Sequence, residues 1–400
     1  MKLIERDSYL AKLINVMGTP DIKVLTGVRR SGKSKLLELF KEFIKNNVSD
    51  YNIIHINFNL KEFDNLKNKD DLYNYITERY KKGKNNFVMI DEVQMCDDFE
   101  KAVNWLHAEE KYDIYITGSN AFLLSSDLST LFTGRTFEIE VYPFSFSEYN
   151  NYFEFDDISQ SFNKYVLEGG MAGSYLYRTS EEKYEYLKTV YNTLIIRDIT
   201  QKYNIRNVKL LTELNDFLMD NISNTISIRS ITKELAKGRN NKERKISDKT
   251  IGKYLGYLCN AFAFYKIRRY DIQGKKYLAS CDKYYLVDSA FKYAIIGTKN
   301  INYGRIYENM VAIELLRRGY ELYVGTLHNK EIDFVAIKKD EKIYIQVSDD
   351  ISNEKTFERE VSSLLQIQDA YPKYLIANTH HDDYQYEGIQ IIDIAKWLNN

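Results

Sequence analysis

The segment Gly27-Val28-Arg29-Arg30-Ser31-Gly32-Lys33-Ser34 sets two glycines, a lysine and a hydroxyl at the spacing G-x-x-x-x-G-K-[ST]. That spacing suits a polyphosphate. The glycines let the backbone curl until its N–H groups point at phosphate oxygens. Lys33 then reaches the β- and γ-phosphates, and the Ser34 hydroxyl takes a place on Mg²⁺. Arg29, Arg30 and Ser31 lie inside the loop, and the expected ligands are ATP and Mg²⁺. A second group stands at Asp91-Glu92. Asp91 is expected to hold the metal through water, and Glu92 to orient and polarise an attacking water. Thr117, Ser119 and Asn120 are candidates to touch both the γ-phosphate and that water, and position favours Asn120 or Ser119. Arg135 ends Leu131-Phe132-Thr133-Gly134-Arg135. Its fixed, forked charge suits a transition-state contact, either to its own nucleotide or to that of a neighbouring copy.

Two further sets of residues could do chemistry. Between 237 and 245 lie Lys237, Arg239, Lys242, Arg244 and Lys245, followed by Lys249 and Lys253. Such a run suits the phosphates of double-stranded DNA. Near the C-terminus, Glu308, Glu331 and Asp333 could supply oxygen ligands to a metal. A metal centre that cleaves phosphodiesters also needs an acid and a lysine on the following strand. Here those places hold Gln346 and Ser348, an amide and a hydroxyl, so an inactive centre is expected.

The elements that must position these residues read as strands alternating with helices. Apolar runs at 21–27, 52–60, 86–92, 113–119 and 136–143 predict five strands. Helical periodicity over 3–16, from Lys33 onward, and over about 69–81 and 97–110 places helices between them. That alternation implies a parallel sheet covered on both faces. From about 147 the pattern turns helical, broken by Gly169-Gly170-Met171-Ala172. After about 211 come helices and a hairpin turning at 272–276. After about 300 the order is helix, three strands, helix, strand.

The whole chain carries a formal net charge of −1 over 400 residues, so no global field points to nucleic acid or membrane. Residues 206–288 nevertheless hold 17 Lys/Arg against 9 Asp/Glu. Cys96, Cys259 and Cys281 are far apart and show no disulfide or zinc spacing, as in a reducing cytosol. Lys2, Glu5, Arg6 and Asp7 interrupt the N-terminus, which does not read as a signal peptide. No 18-residue apolar run occurs, so a membrane span is not expected and the expected location is cytoplasmic.

The strings "GVRRSGKS", "IDEVQ", "ITGSNAFLLS", "LFTGR" and "PFSFSEY" together resemble bacterial and archaeal AAA-type ATPases that carry a C-terminal domain of unknown function. The resemblance implies an AAA-type P-loop core at 1–150 and a helical lid at 151–210. Such proteins commonly show Gly-Gly-x-Pro after the core, where this chain has Gly169-Gly170-Met171-Ala172, which puts an adenine contact there in doubt. Residues 211–298 resemble a winged helix, with Lys249 and Lys253 toward the start of its recognition helix. Residues 299–400 resemble a PD-(D/E)XK nuclease fold with a degenerate site. The expected activity is Mg-dependent ATP hydrolysis coupled to rearrangement on DNA or a protein partner, in a homo-oligomer. A slow ATP-binding switch and an ATP-gated nuclease remain alternatives.

Overall fold

In the computed structural model, which describes residues 4, 6–118, 132, 134–237, 246–274, 276–328 and 330–400, the backbone divides into the units Met1–Tyr142 and Pro143–Asn400. The first unit runs α1 (Asp7–Asn15), β1 (Ile22–Thr26), α2 (Lys33–Asn47), β2 (Tyr51–Asn57), α3 (Lys69–Thr77), β3 (Asn85–Asp91), α4 (Phe99–Ala108), β4 (Asp113–Thr117) and β5 (Thr136–Glu140). All five expected strands form, in one parallel sheet ordered β2-β3-β4-β1-β5. The strands read as near-continuous apolar runs because both faces are covered. Phe87 and Met89 of β3 pack toward α1 and α2 with Tyr9, Leu37 and Phe40. Val88 and Ile90 pack the other way, against Leu72, Ile76, Val103 and Leu106 of α3 and α4.

β3, which ends at Asp91, does not lie beside β1. The sheet instead places β4 between them. β4 is buried at every position from Ile114 to Thr117 and needs neighbours on both sides, whereas β2 alternates buried and part-exposed residues and takes the edge. Register aligns Leu25 with Thr117 and Ile90 with Ile116. The chain therefore leaves β1, β3 and β4 along one edge, the carboxyl ends of the strands, where ligands of open α/β sheets sit.

The second unit begins with helices α5 (Phe146–Phe153), α6 (Ile158–Glu168), α7 (Ser180–Asn192), a π-helical stretch at Thr193–Ile199, and α8 (Val208–Asp220). Then come β6 (Thr225–Ile226), α9 (Ile228–Ala236), α10 (Asp248–Asn260) and the hairpin β7 (Phe264–Asp271) and β8 (Lys276–Leu286). α11 (Ala290–Ile295), α12 (Tyr303–Arg317), β9 (Glu321–Leu327), β10 (Lys330–Lys338), β11 (Glu341–Ser348), α13 (Glu354–Leu365), β12 (Lys373–Ala377), β13 (Tyr384–Tyr386), β14 (Ile389–Asp393) and α14 (Ile394–Asn399) complete it. The helix pair and hairpin expected of a winged helix are present, but the hairpin is not a free wing. β7 pairs in parallel with β9, from Arg268 opposite Tyr323 to Asp271 opposite Thr326. One nine-stranded sheet thus runs β13-β14-β12-β11-β10-β9-β7-β8-β6, straight through the domain boundary read at 298/299. The pairing satisfies backbone groups that a protruding wing would leave to solvent.

This sheet curls. Strands lie about 4.8 Å apart, so in a flat sheet β6 and β10, four places apart, would be separated by about 19 Å. Yet the Thr225 hydroxyl on β6 donates to Glu331 on β10 at 3.0 Å. A bulge between Ile267 and Arg269 and a left-handed Cys281 (φ 62°) bend both strands of the hairpin and close the curl.

Candidate functional site

Each residue of the phosphate loop has a local reason for its place. Gly27 (φ 121°) lets the chain leave β1 beside β5; a Cβ there would lie 2.2 Å from the Val141 carbonyl oxygen. Arg30 is left-handed at φ 64°. Gly32 caps α2 with no side chain bonded to the helix N-terminus, so the first N–H groups of α2 are left for a ligand. The Lys33 ammonium donates to the carbonyls of Gly27 at 2.9 Å and Val28 at 3.0 Å. Burial brings it down to about 8, against the pull of Glu92 and Asp91, with Arg29 adding to the fall. The Ser31 hydroxyl is buried without a hydrogen-bond partner among the described residues.

The carboxylates arrive from β3. Asp91 is buried and its Oδ1 accepts from the Ser34 hydroxyl at 3.0 Å and, closer still, from the Thr117 hydroxyl. The Thr117 oxygen also accepts the Glu92 N–H at 3.3 Å. Glu92 turns out of the strand at φ 58°, and the Gln94 amide donates to its Oε2. So Ser34, Asp91, Glu92 and Thr117 meet at the loop. Of the three polar candidates at and after the end of β4, Ser119 and Asn120 lie outside the described residues, and Thr117 bonds the Asp91 carboxylate and the Glu92 backbone N–H. Oxygen donors alone converge at Ser34 and Asp91, and this set suits a hard cation such as Mg²⁺.

Arg135 is not brought to this cluster. It precedes Thr136, which pairs with Ile22, so it lies level with the start of β1. Five strand residues at about 3.3 Å each put the loop some 16 Å away, beyond the length of an arginine side chain. Its side chain is exposed at the end of β1 away from the loop.

Arg6 joins the site unannounced by any motif. It is buried, donating to the Ser31 carbonyl at 2.8 Å and the Tyr142 carbonyl at 2.9 Å, and its guanidinium lies 4.3 Å from the centre of the Tyr9 ring. It clamps the phosphate loop to the last residue of the unit. Its only local signal was a charge directly ahead of an amphipathic helix.

In the second unit, Lys249 and Lys253 are exposed on α10, while Arg239, Lys242, Arg244 and Lys245 lie outside the described residues. Gly169 and Gly170 form a packing joint. The Asp288 Oδ2 accepts the Gly170 N–H at 2.7 Å, and a Cβ on Gly170 would lie 2.2 Å from the Phe144 carbonyl oxygen. Glu308, Glu331 and Asp333 do converge, but on a lysine that sequence reading did not place there. Lys283, from β8, lies 2.8 Å from Glu308, 2.8 Å from Glu331 and 3.5 Å from Asp333. Ser348 still stands where the following strand would need a lysine; this lysine arrives from β8 instead, which the curl carries across to β10. Burial alone would lower this ammonium, but Glu308, Asp333 and Glu331 outweigh it and hold it above the usual lysine range. Burial pushes Asp333 up, with the Glu308 charge adding. The Gln346 carbonyl oxygen accepts the Asp333 N–H at 3.3 Å, and its amide donates to Glu360 at 2.8 Å.

A family model described as an AAA domain matches residues 19–150. Two models described as domains of unknown function match 159–302 (DUF8612) and 303–397 (DUF4143). A Haemophilus influenzae protein described as "Uncharacterized protein" is 37% identical over 402 residues, covering 99% of this chain and 98% of its own. "Uncharacterized protein MJ1544" of Methanocaldococcus jannaschii is 31% identical over 379 residues, covering 90% and 81%. The solved structure of the Aeropyrum pernix ORC1 protein in complex with DNA superposes with a TM-score of 0.34 at 10% identity, over 74% of this chain and 92% of that one, too distant to bear on function. The sheet of this chain, the matched AAA domain and the two relatives agree: the chain belongs to a family of bacterial and archaeal proteins in which an AAA-type P-loop NTPase domain precedes two C-terminal domains of unknown function.

Proposed function

We propose that the first unit binds ATP with Mg²⁺ and hydrolyses it, and that nucleotide state drives a rearrangement on DNA or a protein partner. The observation that carries this reading is the meeting of Ser34, Asp91, Thr117 and Glu92 in front of Lys33. Lys33 exchanges two loop carbonyls for phosphate oxygens. The unpartnered Ser31 hydroxyl and the open N-terminus of α2 offer further donors. Ser34 and Asp91 would hold the metal, which when bound neutralises charge on the β- and γ-oxygens. Glu92 accepts the proton of the attacking water. Thr117 fixes the Asp91 carboxylate and the Glu92 backbone through one hydroxyl. Arg135 acts in trans, on the nucleotide of a neighbouring copy. Lys249 and Lys253 lie on the face offered to DNA phosphates.

The test is a pair of substitutions. Lys33→Ala abolishes tight ATP binding by calorimetry. Glu92→Gln keeps binding and loses phosphate release, because an amide cannot take the proton. Full turnover in Glu92→Gln would sink the assigned role.

A further inference from the structure

We propose that Lys283 is the resident cation of the nuclease-like centre: its ammonium stands where a divalent ion would, and makes the centre a metal-free charge lock across the curled sheet. This inference concerns the second unit and does not depend on the ATPase reading. The carboxylates around the ammonium are the ones a metal would use, and they come from two elements, Glu308 from α12 and Glu331 and Asp333 from β10. The lysine is 3% exposed, so it is a built-in part of the core and not a surface charge leaning in. Buried charge of this kind persists only when it is paired and hydrogen-bonded.

Most of the remaining oxygens are engaged as well. Glu308 Oε1 also accepts the Tyr285 hydroxyl at 2.7 Å. The second oxygen of Glu331 takes the Thr225 hydroxyl at 3.0 Å, and that of Asp333 takes the Val347 N–H at 2.9 Å. Gln346 bridges Asp333 to Glu360 instead of ligating, and the other oxygen of Glu360 is held by Arg359 at 2.6 Å. A divalent ion entering here would meet an ammonium, an amide and carboxylate oxygens already accepting hydrogen bonds. Metal-assisted phosphodiester cleavage needs the opposite arrangement. The lysine reaches this place because the hairpin bends at its bulge, so the charge cluster also fastens β6 and β8 over β10 and α12.

The proposal is tested by Mn²⁺ binding to the full chain without nucleotide, read from the paramagnetic resonance of the free ion, with thermal unfolding in parallel. Wild type takes up no Mn²⁺ at the centre. Lys283→Met removes the ammonium and leaves three carboxylates. Lys283→Met/Glu331→Gln removes one charge of each sign, which guards against a variant that fails to fold. Either folded variant gains roughly one Mn²⁺ per chain, at least about tenfold tighter than wild type, and melts at a higher temperature with Mn²⁺ than without it. Adding Asp333→Asn abolishes the gain. A folded charge-balanced variant that binds no more Mn²⁺ than wild type overturns the proposal. So does Mn²⁺ uptake, or plasmid nicking, by wild type that disappears in Asp333→Asn.

Discussion

Lys33 shows what a residue's surroundings do to its chemistry. Its ammonium is poised near pH 8 because burial opposes the charge. A bound polyphosphate restores the charge, so ATP binding at pH 8 takes up about half a proton. The uptake fades toward pH 6.5, where the free lysine is already charged. Calorimetry at each pH in two buffers of different ionisation enthalpy reads this directly, and Lys33→Arg removes it. Thr117→Val deletes the hydroxyl shared by Asp91 and Glu92 and leaves the packing. Losing a hydrogen bond to a charged group costs about 1.5–3 kcal/mol; expressed in the barrier, that is a roughly 10–100-fold lower kcat with ATP affinity little changed. The loop residues 27–34 and the pair Asp91-Glu92 were legible in the sequence because their geometry follows from short covalent spacing. Arg6 and Lys283 were not. The partners of Arg6 are Ser31 and Tyr142, 25 and 136 residues away, and Lys283 meets Glu308 25 residues on. No local pattern encodes such pairings.

Among elements, the five strands of the first unit are readable one by one, since burial on both faces makes each an apolar run. Their order is not, because the neighbours of β4 are decided by which strand can tolerate an edge. The hairpin β7–β8 is legible as a hairpin, but nothing local says that its outer edge belongs to β9. The joint between the Gly169-Gly170 loop and Asp288 is a similar case. Gly170→Ala pushes a methyl against the backbone of Phe144 and lowers stability by about 1–3 kcal/mol, measured as a shift in the urea midpoint. Burial pushes Asp288 up to about 6, above its unfolded value of 3.8. The folded state therefore binds more protons between those values, and this residue's contribution to stability falls as pH rises through the window. The stability advantage of wild type over Asp288→Asn shrinks by about 2 kcal/mol between pH 4 and pH 6.5, read from urea titrations at each pH.

For the molecule as a whole, the trans role proposed for Arg135 would make turnover a collective property. Activity per chain rises with protein concentration, and mixing Arg135→Ala with Lys33→Ala chains restores part of what each lacks. Arginine fingers are worth ~10³–10⁵ in rate, so a loss under tenfold in Arg135→Ala counts against a trans role. If DNA is the partner, Lys249→Ala/Lys253→Ala flattens the salt dependence of binding, by ~0.9 log unit for each phosphate that is no longer neutralised. Among the described residues no helix is long and apolar enough to cross a membrane. The parallel pairing of β7 with β9 reaches into the life of the chain on the ribosome. The first unit contains every strand of its own sheet and can close as soon as it emerges. The second cannot, since β7 is made some fifty residues before the strand that covers it, and at 5–20 residues per second that edge waits about 3–10 s. Lys266, Arg268, Arg269 and Asp271 along β7 give the waiting edge charges that discourage pairing with a strand from another nascent chain.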